Sequence, residues 1–403
     1  MTNVRRSTCL VWFSSGATLT CLVAGTASAA EKRVAIDLST GGSAATNPFL
    51  STGPNGGAAS AFIEIAPQFS QKDEISTVSL RGNVRLDQYS RRYDRDESAA
   101  VSLDVTRQLS ETVTLRGGAS ARSNRSSAQD ILTERAVELV AVPGLQPSQN
   151  DVSYIGLRTR TLSLAANVGA TFGLGPKDTL DTDAATGLYK FMDPQFADYR
   201  YANQQLGYSR WLSERTGLKA SIGLGQIDYL GRKAGDALIV SPLIGVETQL
   251  AEELSASAQV GLSFTSIRPI TGARRHGTGL ALRASLCGSR LSGRLCLTAD
   301  RSSQPTALGD VTTLSAVGAS LGRRLGPKDD IQLGINVSRS SGSSSSVGRP
   351  AFLGASLDLN HEVRRRFSLF AGLKYADIYD SGAARRANYQ VRAGLRYRFG
   401  EEK

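Results

Sequence analysis

The sequence predicts an all-β fold, an antiparallel up-and-down transmembrane barrel of about 18 strands, with 16 as the runner-up. Three observations predict it. Stretch after stretch from Ala61 onward alternates apolar with polar residues, the period of a strand with one greasy face. Tight turns recur at a spacing of about 38 residues, one up-and-down pair of membrane-length strands plus a loop. No run after residue 30 approaches the roughly 20 apolar residues that a spanning helix needs, so a membrane role falls to strands.

Taken in order, residues 1–30 read as a signal peptide. Arg5 and Arg6 precede the mostly apolar or small Leu10–Gly25 stretch, and Ala27-Ser28-Ala29 is a small-x-small site, with cleavage expected at Ala29 or Ala30. Residues 31–403 form one barrel domain. Arg33–Ser39 is a first, short strand, followed by a Gly/Ala/Asn loop over Gly41–Ala59 that contains Asn47-Pro48-Phe49. In Ala61–Ser70, Ile63, Ile65, Pro67 and Phe69 oppose Glu64 and Gln68. In Thr77–Asp87, Val78, Leu80, Val84 and Leu86 oppose Ser79, Arg81, Asn83, Arg85 and Asp87. The same pattern covers Ala99–Thr106, Val113–Arg122, Leu162–Phe172, Ala202–Tyr208, Leu218–Leu224, Val240–Leu250 and Ala256–Phe264. It continues through Leu280–Leu286, Leu295–Ala299, Ser315–Leu321, Ile331–Val337, Ala351–Leu359 and Phe367–Tyr375, with Thr179–Thr186 a weaker member.

Short turns fall near residues 72, 110, 175, 214, 253, 291, 327 and 364, several as Leu-Ser-Glu or Gly-Pro-Lys-Asp. The connections between them, around 88–97, 187–197, 230–236, 266–277, 302–310, 341–349 and 377–386, are longer and rich in Gly, Ser, Arg and Asp. Short periplasmic turns and long outer loops are the habit of outer-membrane barrels. Counting back from a periplasmic C-terminus gives 17 strands, and Arg33–Ser39 makes the even number. The longest connection, 123–152, carries a capping box at Ser127–Asp130, helically spaced Ile131, Leu132, Ala136, Leu139 and Val140, and a stop at Pro143-Gly144. It reads either as a helix folded into the mouth or as one lying on the rim.

The last stretch, Asn388–Phe399, has Tyr389, Val391, Ala393, Leu395, Tyr397 and Phe399 on one side and Gln390, Arg392, Gly394, Arg396 and Arg398 on the other. It resembles the C-terminal signal by which bacterial barrels are recognised for insertion, carried here by Arg392, Gly394, Tyr397 and Phe399, with Gly400–Lys403 following. That resemblance implies the barrel-assembly machinery as a partner.

Strand parity sends Arg81, Arg85, Arg116, Arg122, Lys219, Arg283, Lys374, Arg392, Arg396 and Arg398 into the lumen, against Glu64, Asp87, Asp104, Glu247, Asp300 and Asp358. Two readings follow: an excess of bases that favours anions in a narrow pore, or a ladder of inward salt bridges bracing the barrel. Outward placement would cost about 2–4 kcal/mol for each Lys or Arg near the midplane. The formal charge of +11, +9 without Arg5 and Arg6, suits anionic partners: small anions, acidic polysaccharide or lipopolysaccharide phosphates. Arg91-Arg92, Arg274-Arg275 and Arg385-Arg386 in or beside outer loops either bind such phosphates or form a solvated rim. Nucleic acid is excluded as a partner: the chain is exported and shows no binding motif.

Cys9 and Cys21 leave with the signal peptide. Cys287 and Cys296 lie symmetrically about the turn at Leu291-Ser292 with lumen parity, and a lone pair in an oxidising compartment points to one structural disulfide. Only His276, in an outer loop, and His361, beside a periplasmic turn, could serve an enzyme. No nucleophile elbow, phosphate loop or zinc spacing accompanies them, so neither an enzyme, nor a metal, nor a cofactor is expected.

Asn47-Pro48-Phe49, the Leu-Ser-Glu turns, the Cys287…Cys296 hairpin and the closing strand together resemble a β-barrel porin family of outer-membrane proteins, in particular its sphingomonad-type forms. The resemblance implies a link with exopolysaccharide production or export. A porin-like or export-linked channel for anionic or polar solutes or acidic exopolysaccharide is thus expected. The alternatives are a closed barrel serving as surface scaffold or receptor and, last, an outer-membrane hydrolase.

Overall fold

The structure, a computed structural model, describes residues 31–53, 56–125, 158–231, 235–269, 273–290, 293–342, 351–379 and 385–400. The segment expected to be a signal peptide, the helix expected within 123–152 and the Leu291-Ser292 turn lie outside the described residues, except that Ser123–Arg125 end a strand.

The described residues hold eighteen strands and no helix: β1 Glu31–Ala45, β2 Ala58–Lys72, β3 Ser76–Tyr89, β4 Arg95–Ser110, β5 Val113–Arg125, β6 Arg160–Gly173, β7 Asp178–Phe191, β8 Tyr199–Trp211 and β9 Thr216–Tyr229. The second half comprises β10 Gly235–Ala251, β11 Leu254–Pro269, β12 Arg275–Arg290, β13 Gly293–Pro305, β14 Val311–Arg324, β15 Asp329–Gly342, β16 Ala351–Arg364, β17 Phe367–Tyr379 and β18 Asn388–Gly400. Every strand pairs antiparallel with its sequence neighbours, and β18 pairs with β1 from Ala35 opposite Gly400 to Ala45 opposite Gln390. The sheet is therefore closed, which removes the free edges an open sheet would present.

One face of this ring is apolar and uncovered. Val34, Ile36, Ile63, Ile65, Val84, Val168, Ile244, Leu373, Tyr389 and Val391 all point outward, with Ile244 68% exposed. Water does not tolerate so continuous an apolar surface, whereas hydrocarbon does. The greasy positions predicted from sequence are the outward ones, and the polar positions between them line the inside.

Strands run further than their alternation predicts. Gly41–Ala45 belongs to β1 rather than to a loop, because Gly41 lies flat against the backbone of Ala393 and Gly394 where a Cβ would collide. The loops expected over 88–97 and 187–197 shrink to 90–94 and 192–198, since Asp96, Glu97, Leu188 and Tyr189 still find cross-strand partners. Thr179–Thr186, read as weak, sits within the full-length β7. His276 is in β12, not in a loop.

One pairing is incomplete. β12 and β13 are in register from Arg290 opposite Gly293 to Leu282 opposite Arg301, and then part. β12 continues paired with β11 out to Arg275, and β13 continues paired with β14 to Pro305. From Arg301 to Ala316 no residue is exposed, although a strand in a lipid-facing wall exposes every second one. The outward side of this hairpin meets the inner side of its neighbours: Ser263 of β11 donates to Ser303 Oγ at 2.9 Å, and Thr313 Oγ1 lies under Gly279 of β12. The upper part of the β13–β14 hairpin is thus tucked inside the barrel, behind β11 and β12. Its chemistry explains why. The outward positions carry Arg301, Ser303, Pro305, Thr313 and Ser315, which suit protein contacts and would be costly against hydrocarbon.

Candidate functional site: the lumen and its mouth

The inside of the barrel is laced by ion pairs. Arg398 donates Nε and Nη2 to the two carboxylate oxygens of Asp37 at 2.6 and 2.8 Å, joining β18 to β1. Arg85 makes the same fork onto Asp87 in its own strand and reaches Glu64 on β2 at 3.3 Å. Such bidentate contacts are the strong form of the guanidinium–carboxylate bond. Lys219 meets Glu247 at 3.7 Å and Arg283 meets Asp300 at 3.8 Å, each between adjacent strands.

Two further pairs span three strands. Arg116 on β5 reaches Asp183 on β7 at 3.1 Å, and the residue in register between them on β6 is Gly169. Arg392 on β18 reaches Asp358 on β16, with Gly372 of β17 in register between. A Cβ at Gly372 would sit 2.5 Å from Asp358 Oδ1 and 2.8 Å from Arg392 Nε, and one at Gly169 would strike the carboxylate of Asp183. Glycine is what lets each pair close across the intervening strand.

Arg85, Arg116, Lys219, Arg283, Arg392 and Arg398 meet carboxylates on the faces to which parity assigned them, which offsets much of the expected excess of bases. Asp37, Asp96, Asp181 and Asp183 share the same faces and were missed. The Asp-Thr-Asp run of β7 lacks the large apolar residues that mark a lumen/lipid alternation, and Asp37 sits in the stretch read as a first, short strand. The salt-bridge ladder therefore describes most of the lining. Arg81 has no ion-pair partner among the described residues, and Arg396 donates to Ser39 Oγ and lies 5.8 Å over the ring of Phe370. Phe62, also missed, turns into the lumen with Arg85 stacked on it at 4.0 Å. Cys287 and Cys296, opposite each other in the β12–β13 ladder, are joined by a disulfide near the short-turn end.

Polar space remains between these groups. A cavity of about 240 Å³ is lined from both sides of the ring, by Asp104 of β4 and Asp183 of β7 as well as Arg283 and Arg301. A second, of about 190 Å³, is lined by Arg81, Asn83, Ser102, Ser120, Arg122 and Ser163, with no carboxylate.

The long-loop mouth is narrowed by two inward-folded apolar clusters. In the first, the loop after β1 buries Phe49 and Leu50 completely. Asn47 holds it there: its N–H donates to Asn388 Oδ1, its Nδ2 to the carbonyls of Ser51 and Arg386. Tyr93 packs on Phe49 at 4.9 Å, with the Arg158 guanidinium 4.7 Å over the same ring. Arg385 of the last long connection bridges to Thr52, and burial pulls its pKa down. In the second cluster, Phe196, Ala197, Ala307 and Val311 pack on Tyr199, Tyr229 and Ile239. The loop after β7 donates Ala197 N–H to Ala307 O at 2.7 Å, and Tyr229 donates to Asp310 O. Arg275, from one of the rim pairs, reaches Asp310 at 3.5 Å. His361 is held by Asp329 at 2.7 Å beside a short turn, and His276 is exposed.

No family model and no curated protein sequence matches the chain. Among solved structures, it is similar to the FrpB iron transporter from Neisseria meningitidis (F5-1 variant) at 9% identity and a TM-score of 0.46, over 92% of this chain and 83% of that one. It is similar to Acinetobacter baumannii OccAB3 at 9% identity and a TM-score of 0.44, over 92% and 100%. The figures for Pseudomonas aeruginosa OpdL are 11% and 0.45, over 92% and 99%. At those TM-scores the likeness adds nothing to what the strand pairing already establishes.

Proposed function

We propose that this chain is a porin-like channel of the bacterial outer membrane, not an enzyme, that passes small anionic or polar solutes. The observation that carries the reading is the cavity lined by Arg81 and Arg122, whose other lining residues are neutral. In a low-dielectric tube such a pocket is a resting point for an anion, favourable enough to enter and shallow enough to leave. Elsewhere the pairing of bases with acids keeps the field weak, so the expected selectivity is modest. Planar-bilayer recording tests this. Wild-type protein in a KCl gradient should show a reversal potential on the anion side, and Arg81→Glu with Arg122→Glu should move it to the cation side. Folded protein without any conductance would sink the channel reading.

A second reading, a closed barrel used as surface receptor or scaffold, is favoured by the two apolar clusters across the mouth. It predicts no current from wild-type protein and current once Phe49 and Leu50 are replaced by Ser. Lipopolysaccharide phosphates at Arg91, Arg92 and Arg274 and recognition of Gly394, Tyr397 and Phe399 by the assembly machinery complete the proposal. An acidic exopolysaccharide is the less favoured cargo, since a polymer would have to thread past both clusters.

A further inference from the structure

We propose that the parting of β12 and β13 is a lateral binding site for an anionic single-chain amphiphile of the long-chain fatty-acid class, its carboxylate held by Arg301. Arg301 has outward parity, at the last registered pair before the strands separate. Its Nε donates to Leu280 O at 3.3 Å and its Nη1 to Ser315 Oγ at 3.2 Å, and no carboxylate reaches it among the described residues. Neighbouring Arg283, by contrast, has Asp300. An arginine of outward parity with no carboxylate partner, standing at a break in the strand ladder, is a place for an anion.

The surrounding backbone agrees. Beyond Leu282 the edge of β12 facing β13 has lost its ladder partner, and the Leu280 carbonyl accepts from Arg301. Open edges do not persist against hydrocarbon unless polar matter covers them. The larger lumen cavity is lined at this point by Ala281 and Leu282 of β12 and by Arg301 and Ser302 of β13, residues of both parities on both lips of the parting. It therefore reaches both lips where the strands diverge. Further in, Ala165, Ala184 and Leu243 offer it apolar surface. A carboxylate at Arg301 with an alkyl chain along these residues matches the polar lip and the apolar interior. The proposal does not rest on the channel reading, and conductance plays no part in its test.

The probe is cis-parinaric acid, a fluorescent fatty acid, added to full-length folded protein in amphipol, with folding checked by heat-modifiable electrophoretic mobility. Saturable binding is expected. Competing saturated fatty acids should gain about three- to fourfold in affinity per added methylene until the cavity is full. Myristyl alcohol should compete at least tenfold less well than myristic acid. Arg301→Gln should weaken binding about tenfold or more and Arg301→Lys should recover part of it. A cross-link between Ala281→Cys and Ser302→Cys, closing the parting, should abolish binding. Absence of saturable binding, unchanged affinity in folded Arg301→Gln, or equal competition by the alcohol overturns the proposal. So does binding that survives the cross-link, which would put the ligand in the lumen by way of the aqueous mouth.

Discussion

The barrel has two junctions that differ in an instructive way. β1 and β18, from opposite ends of the sequence, are zipped from Ala35 opposite Gly400 to Ala45 opposite Gln390. β12 and β13, joined by a tight hairpin and a disulfide, part at Leu282 and Arg301. Closeness in sequence and a covalent tie do not decide which pairing holds to the rim. The chemistry of the outward positions toward the mouth differs: Ala44, Val391, Ala393 and Leu395 at the first junction, Arg301, Ser303, Thr313 and Ser315 at and beside the second. A strand stays in a bilayer wall only where its outer face suits hydrocarbon.

The largest effect is expected from spoiling the intact junction. Gly394→Val would drive a side chain into the Phe370 ring and the Thr40 carbonyl, an overpacking of about 3 kcal/mol or more, and should abolish the heat-modifiable folded band. Asp37→Ala removes the bidentate partner of Arg398, which is itself about a third exposed. A loss of about 2 kcal/mol in urea unfolding of the reconstituted protein is expected. At the split junction, replacing Cys287 and Cys296 by Ser releases a short loop. It should cost about 2–3 kcal/mol, read as faster hydrogen exchange confined to β12 and β13.

Changing Ser303, Thr313 and Ser315 together to Leu makes the second junction's outer face like the first. The hairpin should then move toward the wall, and single-channel conductance should rise; an unchanged conductance would show that outward chemistry does not set the tuck. The smallest effect lies at the turn between β2 and β3. Asp73 accepts from Ser76 Oγ and from the N–H groups of Ile75 and Ser76, which holds its carboxyl below the ordinary range. A depressed folded pKa contributes stability above the unfolded value of about 3.9, lost as pH falls through the folded one. Acidification below about pH 4 should therefore speed exchange at residues 73–76 in wild type and leave Asp73→Asn flat.

Strand number and lumen parity were legible because a membrane strand writes its environment into every second residue. What stayed hidden are departures from that rule. Arg301 and Ser303 lie beyond the Leu295–Ala299 stretch and Thr313 lies before Ser315–Leu321, with 302–310 read as an outer loop, so the alternation carried no mark of the tuck. Asp181 and Asp183 were masked by Thr182 and Ala184 beside them, and Phe62 by the apolar run in which it stands. The mouth clusters depend on loops folding back, which Phe49, Phe196 and Ala307 do not announce through any period.

The two glycines beneath spanning ion pairs have a consequence for how the sheet is assembled. Were β6 to slide by two positions along its neighbours, Asn167 or Thr171 would come to lie under Arg116, and neither leaves the gap that Gly169 does. For β17 the intruders would be Phe370 or Lys374. Sliding by one is already forbidden, because it turns the strand inside out. Each triplet thus acts as a latch that clicks only when three ribbons are simultaneously aligned, an error check on threading that a bond between two neighbours alone could not perform.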